Sequence, residues 1–214
     1  MKKIKAIGVI VITMTFSISF TQCTENVSAD QLNSQELELT KSDSLTAQLT
    51  EDEINGILFL REEEKLARDV YLYLNDIHPL RPFQNISKSE QAHMDAIKYL
   101  IDTYELTDPV ADNPEGVFQN EVLQNLYNEL IEAGSASKVE ALKVGALIEE
   151  IDILDLQHEL DNTVENKDVI RVYQNLLSGS ENHIRAFVRV LGFNGIDYVP
   201  IKLEQELFDA ILAD

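Results

Sequence analysis

Cysteine is nearly absent from this chain: Cys23 is the only one among 214 residues. No disulfide can close within one copy, so no covalent staple holds the fold. The region after Cys23 offers no thiolate for a cysteine-based zinc site or an iron–sulfur centre. Tryptophan is missing, and glycine and proline number only 8 and 5. That leaves little of the turn chemistry a many-stranded fold needs. Basic residues are scarce as well. Lys and Arg number 17 against 38 Asp and Glu, a net charge of −21. Such a surface repels nucleic acid and anionic membrane, and it attracts cations, metal ions among them. Its plainest role is solubility.

The chain has no apolar run long enough to span a bilayer comfortably. The longest, Ile7 to Phe20, follows Lys2, Lys3 and Lys5 and ends close to Cys23. Basic residues followed by a short apolar run are the pattern of an export signal, so residues 1–23 read as a signal segment. A single Cys after such a run resembles the lipidation site of a bacterial lipoprotein. Gln22 departs from the small residue usual before that Cys, and an ordinary cleaved signal is the alternative. The expectation is an exported protein, anchored to a bacterial envelope through Cys23 or else periplasmic or secreted. Removing residues 1–23 takes away three lysines and no acid, moving the net charge from −21 to −24. Residues 24–49 are polar, contain no aromatic residue and read as a flexible tether.

From residue 50 to 214 the pattern is helical. Thr50-Glu51-Asp52-Glu53 is a capping-box signature opening a helix to about Asn75. A second helix is expected from about Ser87 to Glu105, a shorter one over Phe118–Ala133, and long ones from Ser137 to Leu160 and Lys167 to Leu191. A small helix is expected after Pro200. The long helices form two close pairs separated by a long connection that carries the short helix. Two hairpins joined by one long connection make the ferritin-like form of an all-α four-helix bundle.

Polar residues interrupt the inward stripes of all four long helices. Apolar residues at alternating spacings of three and four mark those stripes. The first reads Ile57, Leu60, Glu64, Ala67, Tyr71; the second reads Ile86, Glu90, His93, Ile97, Leu100. The penultimate long helix reads Leu142, Ala146, Glu149, Ile153, Leu156, and the last reads Tyr173, Leu176, Ser180, His183, Phe187. A buried carboxylate is costly unless it is paired, protonated or bound to a metal. Glu64, Glu90, His93, Glu149 and His183 are therefore the candidate metal ligands. Carboxylate and imidazole suit iron or manganese, and imidazole also suits zinc. Glu63, Asp152, Ser180 and Tyr71 are the next candidates, as further ligands or as hydrogen-bond supports. Glu62 falls with Arg61, Lys65 and Asp69 on a face expected to be solvated, and Glu150 lies about 100° from Glu149.

Each residue also has a plain alternative. Glu90 fits the third position of a capping box begun by Ser87. Glu64 fits a solvated acidic run, His183 a hydrogen-bonded core histidine, and Glu149 an ion pair with Arg185 or Arg189. Tyr71, Tyr104 and Tyr173 fit core positions with satisfied hydroxyls, and His78 and His158 read as structural or exposed. Four independent exceptions are harder to accept than one shared site.

At these residues the chain resembles the ferritin-like superfamily, rubrerythrin-type bundles above all. Glu64-Lys65-Leu66-Ala67-Arg68 with Tyr71 is similar to the first-helix pattern of those bundles, and Glu90-x-x-His93 to the second. The strings Arg61–Tyr71, Ile148–Leu156 and Ser180–Phe187 resemble the bacterial family called domain of unknown function 2202, over roughly residues 52–205. The resemblance implies a ferritin-like fold and a carboxylate–histidine iron site of one or two ions, and it supplies no assigned reaction. If the site turns over, the implied chemistry is ferroxidase- or peroxidase-like, with oxygen or peroxide as partner. A metal buffer or sensor without turnover, or a helical interaction module without metal, are the rival readings. The usual di-iron pattern repeats Glu-x-x-His, and here the last helix has Ser180-x-x-His183. That departure points toward a single ion or an asymmetric pair. Ferritin-like proteins often assemble as dimers or larger shells, so the resemblance also allows a homo-oligomer.

Overall fold

The computed structural model describes residues 49–111 and 113–213, which contain six helices and no strand. The signal segment, Cys23 and nearly all of the tether lie outside the described residues. The helices are α1 (Glu51–Ile77), α2 (Arg81–Thr103), α3 (Glu121–Ser135), α4 (Lys138–Asn162), α5 (Lys167–Phe193) and α6 (Gln205–Ala213). None of them is long and apolar enough to cross a membrane.

Local chemistry fixes most of the helix ends. At α1 the Thr50 hydroxyl accepts from the Glu53 amide at 3.2 Å, while Glu53 accepts from the Thr50 amide at 2.7 Å. The side chains of Asn120, Ser137 and Asn166 cap α3, α4 and α5 in the same manner. The start of α2 differs from the expectation. It begins at Arg81, six residues before Ser87, with Pro82 in its first turn and no side-chain cap at Leu80. Proline at that position lacks only an amide that has no intrahelical partner in any case. Ser87 and Glu90 are therefore both interior to α2, and the capping-box alternative for Glu90 falls away.

The four long helices pack as a closed ring: α1 on α2, α2 on α5, α5 on α4, and α4 on α1. Glu53, at the start of α1, accepts from the amides of Glu165 and Asn166 in the α4–α5 turn at 2.9 and 2.8 Å. At the opposite end His78 Nε2 lies 3.1 Å from the Ser135 carbonyl, just before α4. Ring neighbours therefore run antiparallel, and the α2–α4 connection travels the length of the bundle. This is the single-crossover arrangement expected from the two helix pairs.

Helix α3 sits within that crossover and packs on α1 and α4. This corrects one expectation. The face of α1 carrying Arg61, Glu62, Lys65 and Asp69 is not solvated, since those residues are 7%, 4%, 0% and 1% exposed. Arg61 grips Asp108 with two hydrogen bonds of 3.1 Å, Lys65 bonds Asp69 and the Pro114 carbonyl, and Glu62 accepts from the amides of Gln119 and Asn120. The charged stripe is what fastens the crossover to the bundle. Gly116, at φ 71°, also binds Asp69 through its amide, and Tyr127 fills the space a side chain there would need.

The apolar interior has two parts. One gathers Ile57, Leu60, Ile97, Leu156 and Tyr173 near the α4–α5 turn; the other gathers Ala67, Tyr71, Phe83, Ala146 and Phe187 toward the other end. Between them lies a polar layer.

Candidate metal centre

The layer is built where the four stripes are interrupted. Leu60 and Ala67 flank Glu64 on α1, and Ile86 and Ile97 flank Glu90 and His93 on α2. Glu149 on α4 and His183 on α5 face them. Glu64, Glu90 and Glu149 are 1%, 0% and 0% exposed. The His183 and His93 imidazoles retain 9% and 12% exposure.

The five side chains form two groups that share Glu90. In the first, His93 Nδ1 lies 3.1 Å from Glu64 Oε2 and 2.8 Å from Glu90 Oε2. In the second, His183 Nδ1 lies 2.9 Å from Glu90 Oε1 and 3.3 Å from Glu149 Oε2. Each group offers two carboxylate oxygens and one imidazole nitrogen within 4.8 Å of one another, a constellation able to hold a metal ion. One Glu90 oxygen belongs to each group, so that carboxylate lies between them. The two imidazole rings stack at 5.4 Å.

Supporting contacts hold these side chains in place. Tyr71 donates to Glu149 Oε1 at 2.6 Å, and His183 Nε2 lies 2.9 Å from Ser89 Oγ. A hydrogen bond at the far ring nitrogen orients an imidazole and sets which nitrogen faces a ligand. Gly179 has a steric role: a Cβ there would stand 2.5 Å from His93 Nε2. Ser89 and Gly179 were not singled out from the sequence. A glycine inside a helix, paid for in helix propensity, is a signal of close approach, and it was the available hint.

The acids draw both imidazoles toward their charged form. Burial alone would lower both imidazoles. Glu64 and Glu90 outweigh it at His93 and push it up to about 10, and Glu149 and Glu90 push His183 up to about 11. Burial would raise Glu90, but His183 and His93 hold it down at about 2. Burial raises Glu64 to about 7 against the pull of His93, and it raises Glu149 too. Several ligand-type atoms have no hydrogen-bond partner: both Glu90 oxygens, Glu149 Oε2 and His183 Nδ1. The close approaches of His183 Nδ1 are therefore charge contacts without hydrogen-bond geometry. Buried, convergent and unsatisfied oxygen and nitrogen donors fit a divalent cation of the iron, manganese or zinc type.

The other candidates separate. Ser180 is fully buried, but its hydroxyl turns back to the Leu176 carbonyl at 3.3 Å, away from both groups. Tyr71 supports Glu149, as described. Asp152 is 2% exposed and adjoins the layer, acted on by the charges of Glu63, Glu149, Glu64 and Glu90. Glu63 is 3% exposed and lies outside both groups, its carboxyl raised well above the usual range by burial and then by the charges of Asp155, Glu64 and Glu159. The alternative for Glu149 is not realised: Arg185 bonds the Ile211 carbonyl and Asn182 instead. Glu150 is buried but structural, accepting from Tyr198 and from the amides of Ile201, Lys202 and Leu203.

Comparison with known proteins gives a family without a reaction. The family model described as "Uncharacterized protein domain (DUF2202)" matches residues 53–214. The chain is 48% identical over 165 residues to an uncharacterized protein of Methanocaldococcus jannaschii, an alignment covering 77% of this chain and 89% of that protein. It is also similar to the crystal structure of the hypothetical protein MJ0754 from Methanococcus jannaschii, with a TM-score of 0.76 at 48% identity, covering 78% of this chain and 94% of that one. The chain belongs to the family of the uncharacterized domain DUF2202.

Proposed function

We propose that this domain is a ferritin-like carboxylate–histidine metalloprotein that holds two metal ions, iron foremost, with Glu90 shared between them. The observation that carries the reading is the pair of three-residue groups with the same donor set and one common carboxylate. Glu64 and His93 would complete one ion's protein ligands, and Glu149 and His183 the other's. Ser180 stands where the repeated motif has a second shared carboxylate. Its absence leaves each ion with three protein ligands, and positions open to small molecules. Iron bound there would supply one-electron chemistry toward oxygen or peroxide. The protein's own part is to fix donor positions, hold Glu149 through Tyr71 and keep the layer nearly dry between two apolar clusters. No cysteine module supplies electrons, so they would come from ferrous iron itself or from an external donor.

The test is metal content of the full chain, free of any metal-binding tag and reconstituted with ferrous iron without oxygen. About two ions per chain are expected, as in carboxylate bundles of this type, with both lost in the Glu90→Ala/His93→Ala variant. One ion per chain would replace the shared pair by a single-ion site. No binding of iron, manganese or zinc by a folded chain would sink the reading and leave a helical interaction module. Oxidant consumption by the loaded protein then separates turnover from storage or sensing.

A further inference from the structure

The two halves of the centre are not equally prepared for an ion. In the half built by Glu149 and His183, residues outside the donor set hold both side chains. Tyr71 of α1 donates to Glu149 Oε1 at 2.6 Å, and Ser89 Oγ of α2 lies 2.9 Å from His183 Nε2. Tyr71 is itself wedged between Phe83 and Phe187, with ring centroids 5.9 and 5.3 Å away. Each brace engages the far atom of its side chain. The atoms left over, Glu149 Oε2 and His183 Nδ1, lie 3.3 Å apart and have no hydrogen-bond partner.

The half built by Glu64 and His93 differs on both counts. Its donor atoms, Glu64 Oε2 and His93 Nδ1, are hydrogen-bonded to each other at 3.1 Å. An ion entering there must first part that pair. Among the described residues, none outside the donor set braces either side chain. The Nε2 edge of His93 instead faces Gly179 of α5, where a Cβ would stand 2.5 Å away. A donor already fixed in its bound position loses less freedom when an ion arrives. Hydrogen bonds at the far atoms of metal ligands are worth about 10- to 100-fold in affinity.

We propose that the two positions fill in order: Glu149 and His183, with Glu90, hold the first ion tightly, and Glu64 and His93 take a second, exchangeable ion. This order rests on the two-ion reading above. It makes Tyr71 and Ser89 positioning residues for the first ion. Gly179 keeps the space that His93 needs to take the second. The second ion enters and leaves while the first stays, so that position suits metal as cargo or signal, and the first suits a resident ion.

The test follows Co(II) binding to the full chain by titration calorimetry, joined to anomalous scattering from crystals grown with one equivalent of Co(II) per chain. Two steps are expected, about tenfold apart in affinity or more, with the one-equivalent peak beside Glu149 and His183. Tyr71→Phe/Ser89→Ala removes both braces and no donor atom. It should weaken the first step about tenfold or more and bring the two steps together. Gly179→Ala should weaken the second step alone, because His93 must swing aside. Two indistinguishable steps in the wild type, or a first peak beside Glu64 and His93, would overturn the order and leave the two-ion reading standing. A first step that Tyr71→Phe/Ser89→Ala leaves unchanged would overturn the bracing as its cause. No Co(II) uptake by the folded wild type would refute the two-ion reading and the order with it. Should the double variant not fold, the wild-type steps and peak still decide the order.

Discussion

Glu62, Glu63 and Glu64 are consecutive on α1, all buried, and have three different surroundings. Glu62 accepts two backbone amides of the crossover, Glu63 faces other acids, and Glu64 faces an imidazole. Glu149 and Glu150 repeat the contrast on α4. Glu150 receives a tyrosine hydroxyl and three amides, whereas Glu149 has one hydroxyl partner and an oxygen aimed at His183. Burial alone therefore does not mark a ligand. What separates the two kinds of acid is whether the chain itself supplies N–H donors. Where donors are supplied the acid ties segments together, and where they are withheld an oxygen stays without a hydrogen-bond partner, as at Glu63 and Glu149.

Exchanging the roles at 149 and 150 gives the widest contrast. Glu150→Ala strands the amides of residues 201–203 and should cost about 3 kcal/mol in denaturant unfolding, with metal content retained. Glu149→Ala should lose one bound ion and change the metal-free stability far less. If both variants lose metal and stability alike, the distinction fails. On α1 the neighbours should move stability in opposite directions. Glu62→Ala should destabilise the metal-free protein by about 2 kcal/mol, while Glu63→Gln, which removes an acid facing other acids, should stabilise it by about 1 kcal/mol. A destabilising Glu63→Gln would mean that its partners are donors after all. The smallest effect belongs to Glu53. Burial would raise this carboxyl, but bonds from Thr50 and the amides of Asn166 and Glu165 hold it lowered. Its contribution is whole above the ordinary carboxylate range and is lost as pH falls through the lowered value. Glu53→Gln should flatten that acid limb, checked by urea midpoints across the range, at a cost of about 1 kcal/mol or less at neutral pH.

The residues whose surroundings were legible in the sequence are those whose neighbours repeat along their own helix. The stripes through Glu64, Glu90, His93, Glu149 and His183 are periodic, and the structure brings those five side chains together. Residues whose partners lie far along the chain were opaque. Nothing in α1 announces that residues 108–120 will cover Arg61, Glu62 and Lys65, and nothing in α4 announces the strap at 201–203 over Glu150. The start of α2 was missed because Ser87 looks like a cap, while the real first turn depends on Pro82 and a cap position, Leu80, with no side-chain hydrogen bond.

Glu64, Glu90 and His93 come from the first hairpin, Glu149 and His183 from the second. Glu90 reaches across, with one oxygen to each imidazole, beside the Tyr71–Glu149 and Ser89–His183 contacts that also join the hairpins. In a chain with no disulfide to join its halves, that carboxylate acts as a clasp. Opening it would leave each hairpin intact while loosening the seam between α2 and α5, so amides along that seam would exchange with solvent sooner than those between α1 and α2.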